Sequence, residues 1–483
     1  MGLFEEAQFC QAKYNTRRHF LKNCMSGLGG LALSSLLDHH LLPRQLSEKV
    51  TSGPHFAPKA KHVIFLHMAG APSQLELFDY KPLLEKLDGQ TCPPSLLEGK
   101  RFAFIRGVPK MLGPQSTFRQ HGSCGAWVSD YLPRFSVVVD EVCFLKAVHT
   151  DEFNHAPAQF FMQTGSPRTG RPCIGSWVTY GLGSESEDLP GFVVLISRGA
   201  PTSGKRVWGS GFLPSIHQGV QCRTNGEPVL NLENPHGISR DERKASIDVI
   251  NEINKIEHES IGDPEILTRI SQYELAFKMQ ASVPGVMDIS DEPDYIKALY
   301  GLTDKADNAF SRNCLLARRL VEKGVRFVQL YDRAWDTHGA GPGNGVGAGM
   351  RRSCAYIDQG LRALIVDLKQ RGMLHETLIV WGGEFGRTPM MEARTGKGYL
   401  GRDHHSDAFT MFMAGGGIKG GLTYGSTDEI GFSGVNGRVH VHDLQATILH
   451  QLGLDHEKLT YRFQGRDFRL TDVHGKVVRQ IIG

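Results

Sequence analysis

Cysteine is sparse in this chain and unpatterned: nine occur in 483 residues, and none falls in a Cys-x-x-Cys pair. That absence excludes a thiolate zinc knuckle and a thioredoxin-like redox pair. Charge of one sign is scarce as well. The formal net charge is only +3, no run of lysine and arginine is interleaved with aromatics, and nucleic acid is excluded as a partner on those grounds. Long apolar runs are missing beyond residue 37, so no later segment approaches the ~20 apolar residues of a bilayer-spanning helix. Internal repeats and low-complexity tracts are missing too. What remains is an ordinary globular composition, 40% hydrophobic and 22% charged, in a chain long enough for one large domain or two.

The N-terminal segment carries a different message. Thr16-Arg17-Arg18-His19-Phe20-Leu21-Lys22 precedes an apolar, small-residue stretch from Met25 to Leu37, the pattern of a twin-arginine export signal. The stretch is too short and too rich in Gly and Ser to span a bilayer convincingly. The expectation is therefore export across the cytoplasmic membrane with the twin-arginine machinery as a partner, an uncleaved leader serving as anchor being the alternative. That pathway carries folded proteins and so suits a metal loaded before export. Cys10 and Cys24 fall in the leader, leaving seven cysteines that cannot all pair within one chain; a disulfide or two stays open.

Apolar runs of strand length recur along the chain: residues 62–67, 137–139, 142–145, 192–196, 325–330, 378–381 and 409–413. They are nearly continuous in hydrophobicity instead of alternating, as strands covered on both faces are. Helical spacing marks residues 309–323, 351–371 and 442–452, and residues 228–281 are charged and helical. The predicted fold is α/β, a three-layer α/β/α arrangement around a mostly parallel sheet. The expected organisation is a leader over residues 1–37, a linker over 38–60 and one domain over 61–483 with a helical insertion at 228–281.

Ligands of such sheets gather at the carboxyl ends of the strands, and three polar clusters lie near predicted strand ends. Trp335-Asp336-Thr337-His338 follows the strand ending at Leu330; an Asp-x-His pair places both side chains on one side of an extended segment. Gly383-Glu384-Phe385-Gly386-Arg387 follows a very apolar strand, so Glu384 is a candidate metal ligand and Arg387 a candidate oxyanion fork. An ion pair between the two is the alternative. Arg402-Asp403-His404-His405 supplies adjacent imidazoles that point apart, so one of them binds a given ion and the other orients it or touches substrate. Carboxylate and imidazole are the ligands of hydrolytic divalent cations. Further upstream, Thr150 is a candidate nucleophile or helix N-cap, Asn154 a donor to a substrate oxygen, and His155 a ligand or general acid. Asp79 is a further carboxylate that either serves the site or caps a turn.

Taken in order, the first strand with Gly70-Ala71-Pro72-Ser73-Gln74, then Asn154-His155, Asp336-x-His338, Leu378-Ile379-Val380-Trp381-Gly382-Gly383-Glu384 and Asp403-His404-His405 resemble the alkaline phosphatase and sulfatase superfamily. The tail motif Val441-His442-Asp443-Leu444-Gln445 is similar to the closing helix of sulfatases. More closely, His149-Thr150-Asp151, Gly175-Ser176-Trp177, Phe212-Leu213-Pro214 and Trp335-Asp336-Thr337-His338-Gly339 resemble an uncharacterised family of exported bacterial proteins often labelled sulfatase-like. The superfamily resemblance implies a site for one or two divalent cations (zinc, manganese or calcium) at the strand ends. It implies hydrolysis of phosphate or sulfate esters, with an anionic small molecule or glycan ester as substrate. Asp336, His338, Glu384 and His404 or His405 would form the metal shell, with Thr150, Asn154, His155 and Arg387 as catalytic groups. Three departures stand out. Phe385 occupies a slot where the superfamily has His, the first strand ends in His67-Met68-Ala69-Gly70 where an Asp is usual, and Cys173 lies outside any Cys-x-Pro-x-Arg sequence. The first two are what the alternative reading predicts, a non-catalytic exported protein that binds sulfated or phosphorylated glycans, or a partner protein; the third argues against formylglycine chemistry.

Overall fold

In the computed structural model, residues 53–223, 229, 237–303, 308–341, 343–392 and 398–483 are described. The expected leader and most of the expected linker lie outside them. The strands are, in chain order, β1 (His62–Met68), β2 (Phe118–His121), β3 (Ala126–Ser129), β4 (Val142–His149), β5 (Phe192–Ile196), β6 (Val220–Gln221), β7 (Phe327–Asp332), β8 (Thr377–Gly382), β9 (Gly386–Glu392), β10 (Gly401–His405), β11 (Phe409–Ala414) and β12 (Leu422–Tyr424). The main helices are α1 (His155–Thr164), α2 (Ile174–Leu182), α3 (Arg240–Ile261), α4 (Pro264–Met287), α5 (Ala309–Glu322), α6 (Ala348–Gln370) and α7 (Val441–Gln451).

The central sheet has the order β12-β4-β11-β8-β1-β7-β5-β6, with a short strand Val439–His440 also beside β4. β1 pairs in parallel with β7 on one side and β8 on the other, while β11 runs antiparallel to β8 and β4. The predicted mostly parallel α/β/α fold is what forms. Along β1, Ile64, Leu66 and Met68 join the core packed by α5 and α6. Val63 and Phe65 join the opposite core with α2 and α7. This division explains why the strand reads as one unbroken apolar run: each side chain, whichever way it points, meets a helical layer.

Two local expectations are corrected or refined. Residues 137–139 are not a strand; they sit in a 3-10 helix, Phe135–Glu141, with Val137 66% exposed. A short run of β-branched residues can be recruited into a turn when the next strand is already supplied by Val142–His149. The helices expected within residues 228–281 are the pair α3 and α4, the second of which runs on to Met287. Ser239 and Glu242 form a capping box that starts α3, and Met279, Val283 and Val286 bring α4 into the core.

β9 and β10 form a separate antiparallel ribbon, docked over the loop that leaves β1. Two contacts fix it there. Gln74 exchanges hydrogen bonds with the backbone of Arg387, 2.9 Å each way. Arg402, wholly buried, donates to the equally buried Glu76 at 2.6 and 3.0 Å and to the carbonyls of Leu112, Gly113 and Thr388. A charge pair removed from water this completely is costly to break from one side. Arg402→Ala is expected to destabilise the fold by about 3–5 kcal/mol, read as a lowered midpoint of urea unfolding; an unchanged midpoint would mean that the pair does not hold the ribbon in place.

Candidate metal centre

Asp336, on the loop after β7, is the point on which the site converges. Its Oδ1 lies 2.7 Å from His338 Nε2, 3.1 Å from His155 Nε2 and 3.5 Å from His404 Nε2. These four residues offer ligand atoms all within 4.8 Å of one another. Each imidazole comes from a different element: His155 opens α1, His338 follows Asp336 in the loop, and His404 lies on β10. Donors about 2.0–2.1 Å from a tetrahedral ion stand some 3.3 Å apart, so the observed spacings need only small adjustments.

The other ring nitrogen of each histidine is already committed. His155 Nδ1 lies 2.7 Å from Glu384 Oε1, His404 Nδ1 lies 2.7 Å from the carbonyl of Phe153, and His338 Nδ1 contacts the Glu392 carboxylate. Acceptors on Nδ1 fix the ring orientations and turn each Nε2 inward, where those of His338 and His404 lie 3.0 Å apart, the arrangement that metal-binding histidines show. His155 Nε2 is buried, with Asp336 Oδ1 as its polar contact at 3.1 Å. A cation at the centre would engage it, so the donor set fits a divalent metal.

Charge is concentrated here. Burial works against the Asp336 anion, but Arg387 and the three imidazoles hold its carboxyl far below the usual range. Burial likewise opposes a charged His155, yet its hydrogen bonds to Asp336 and Glu384 raise it to about 9. His404 goes the other way. Burial lowers it to about 4, aided by Arg387 and by its neighbouring histidines, against the pull of Asp336.

Glu384, expected among the metal ligands, stands one layer behind them. Its carboxylate is wholly buried and receives Gly70 N–H at 3.0 Å and Gln159 Nε2 at 2.9 Å, with His67 Nε2 at 3.3 Å and His155 Nδ1 at 2.7 Å. These contacts keep it ionised in spite of burial. His405, the other expected ligand, points away and meets the carbonyl of Phe432. Arg387 is wholly buried and pairs with Asp336 at 2.7 Å, not with Glu384, while also donating to the carbonyls of Ala71 and Arg402. The Thr150 hydroxyl receives Glu152 N–H at 3.4 Å and has no contact with the cluster among the described residues. Asn154 is the exposed N-cap of α1. Asp79 takes the turn role, receiving the Thr427 hydroxyl at 2.6 Å and pairing with Lys81.

Two further carboxylates complete the site: Glu392, which no sequence pattern singled out, and Asp403, which the sequence placed beside His404 and His405 without a role of its own. Glu392 backs His338, and Asp403 binds the backbone N–H groups of Phe104, Ile105 and His404. His338, Glu392 and Asp403 form a second compact group, but it uses oxygens and an Nδ1 already engaged in these contacts. No disulfide joins the seven described cysteines.

Glycine makes the close approach possible. A Cβ on Gly401 would lie 1.9 Å from the carbonyl carbon of His338, and one on Gly339 (φ +71°) would lie 2.6 Å from the carbonyl of Tyr399. The loop bearing His338 and the strand bearing His404 therefore touch backbone to backbone. Gly70 (φ +111°) lets the chain after β1 pass Asp336 in the same manner, since its Cβ would stand 2.6 Å from Asp336 N.

Fold and cluster together define a three-layer α/β/α protein with a His₃Asp centre at the carboxyl end of its parallel strands. The family model described as protein of unknown function (DUF1501) matches residues 60–482, and the chain belongs to that family. No curated protein matches it. Among solved structures it is similar to the PsFucS1 sulfatase from Pseudoalteromonas sp., at 12% identity over 86% of this chain and 73% of that one, with TM-score 0.34. The alkaline phosphatase of the Antarctic bacterium TAB5 is 12% identical over 82% of this chain and 99% of that one, with TM-score 0.30. The phosphonate monoester hydrolase of Agrobacterium radiobacter is 10% identical over 82% and 74%, with TM-score 0.36.

Gly401→Ala is expected to cost about 1–3 kcal/mol through overpacking against His338. Gly341→Ala, in the loop after His338 and with nothing within 4 Å of the added carbon, should leave the unfolding midpoint where it is. Equal effects of the two substitutions would contradict the close approach.

Proposed function

We propose that this protein is a metal-dependent hydrolase of phosphate or sulfate esters, with a single divalent cation held by His155, Asp336, His338 and His404. The observation that carries the proposal is the common orientation of the three imidazoles: every Nδ1 engaged from behind, every Nε2 turned toward Asp336 Oδ1. The donor set narrows the metal. Calcium takes six to eight oxygens, whereas three imidazole nitrogens and one carboxylate suit zinc or a neighbouring transition ion such as manganese. One ion accounts for the cluster, since the second group of carboxylates is tied up by hydrogen bonds.

When bound, the ion supplies Lewis-acid polarisation of an ester oxygen and lowers the pKa of a water ligand. The chain supplies the rest. Glu384 and Glu392 fix the ring orientations of His155 and His338, and Arg387 offsets the charge of Asp336. Asp336 is the ligand nearest solvent, its side chain 42% exposed on a pocket of about 260 Å³ that also reaches His155. Substrate would enter there. With Thr150 turned to its own loop, a water attack at the opening accords with the geometry better than attack by that hydroxyl.

A second reading has its own support. The pair of Asp336 with the buried Arg387 makes the cluster partly self-satisfied, as a metal-free, non-catalytic binding protein would need. Metal analysis of the purified full-length protein separates the two: the hydrolase reading expects about one zinc or manganese per chain, lost in Asp336→Ala and in His404→Ala. Retention of fold and stability in chelator, with no metal found, would overturn it. With metal bound, aryl phosphate or aryl sulfate should turn over, and Glu384→Gln should slow turnover at least tenfold while weakening metal retention. Absence of turnover of both esters would leave the binding reading standing. Export by the twin-arginine route is proposed from residues 16–37, and replacing both Arg17 and Arg18 by Lys should retain the protein in the cytoplasmic fraction.

A further inference from the structure

We propose that Arg333 receives the anionic group of the ligand at this site, which makes the ligand a small oxyanion ester that enters the pocket charged end first. The proposal rests on reading the His₃Asp cluster as the working centre, and adds the group that recognises charge. The pocket is lined by His155 and Asp336 on its inner side and by Thr202, Arg333 and Asn344 toward solvent. An anion approaching Asp336 meets a carboxylate first and needs a cation to offset it.

Two of the other arginines nearby are spent. Arg387 is wholly buried and held by Asp336 and by the carbonyls of Ala71 and Arg402. Arg198 is forked onto Asp332, at 3.0 Å through Nε, and donates to Ser353. Arg333 is exposed and, among the described residues, has no carboxylate partner. A guanidinium without a partner at the mouth of such a pocket is suited to grip two oxygens of a phosphoryl or sulfuryl group at once.

The turn that presents Arg333 is held under strain. Ala334, next in sequence, has φ +82°, a conformation that a residue with a Cβ rarely adopts. It is clamped on both sides. The Trp335 indole donates to Asp332 at 2.9 Å, and the Ser353 hydroxyl donates to the Ala334 carbonyl at 3.0 Å. The Arg333 stem passes over Gly199, where a Cβ would lie 3.6 Å from its Cδ. Strain of this kind persists where the surroundings over-determine it, and it gathers at ligand-binding positions. Here it sets a free guanidinium at the carboxyl end of β7, beside the cluster.

The test is calorimetric titration of inorganic phosphate and of inorganic sulfate into the protein as purified, for wild type, Arg333→Gln and Arg333→Lys. At least one anion should bind wild type, with affinity falling tenfold or more in Arg333→Gln and recovering only partly in Arg333→Lys, since an ammonium cannot reproduce the fork. Whichever anion binds more tightly identifies the ester class. Metal content and unfolding midpoint should match wild type in both variants. Equal affinity in wild type and Arg333→Gln, or no binding of either anion to wild type, would overturn the proposal. Loss of the metal reading would show separately, in the metal content of wild type.

Discussion

One oxygen atom, Oδ1 of Asp336, organises the carboxyl end of this sheet. Three imidazoles and a guanidinium approach it within 2.7–3.5 Å, and they come from four separate stretches of chain. Beneath it lie the apolar strands β1, β7 and β8, which offer no polar compensation. The sheet gives such a charge nothing, so the side chains around it supply its partners. The surrounding architecture serves that need: the β9–β10 ribbon is docked by Arg402 on Glu76 so that Arg387 and His404 reach Asp336. The loop after β1 bends at Gly70 so that its backbone N–H meets Glu384.

The sheet was legible in the sequence because its cause is local. A strand buried on both faces must be apolar at every position, and the runs at residues 62–67, 192–196 and 378–381 show it without any knowledge of partners. Residues 137–139 mislead for the same reason: three valines look alike in a strand and in a turn leading into one. Asp336, His338 and His404 were readable as ligand types near strand ends. Which nitrogen each histidine turns inward was not, since that depends on Glu384, Phe153 and Glu392, all distant in sequence from the rings they hold. Glu384 shows the limit well. A glutamate after an apolar strand was expected to meet an ion, and it instead meets His155, His67, Gln159 and a backbone N–H. Gly339 and Gly401 signal close approach only once the two backbones are known to touch.

The contrast between His404 and His405 has the same origin. Adjacent residues on a strand face opposite ways, so one imidazole joins Asp336 while the other turns to the Phe432 carbonyl and the apolar surroundings of that ring. Pattern alone leaves the choice open, and the docking of β10 decides it.

Charge balance supports the proposal that this cluster holds a cation and is not a purely polar network. Asp336, Glu384 and Glu392 bring three carboxylates to the histidines, and Arg387 returns one positive charge; Asp403 is answered by three backbone N–H donors. Two negative charges are left. Without a metal the deficit must be met by protons on imidazoles, and His155, raised to about 9, shows one of them being taken up. His404, lowered to about 4, shows that a second is refused. A divalent cation supplies both charges at a single point and lets every Nε2 act as a lone-pair donor, the role for which the three Nδ1 contacts have already prepared it. Arg387 alone cannot do this, because its charge is fixed at one. The pair with Asp336 therefore neutralises part of the cluster and leaves the remainder for the proposed ion to complete.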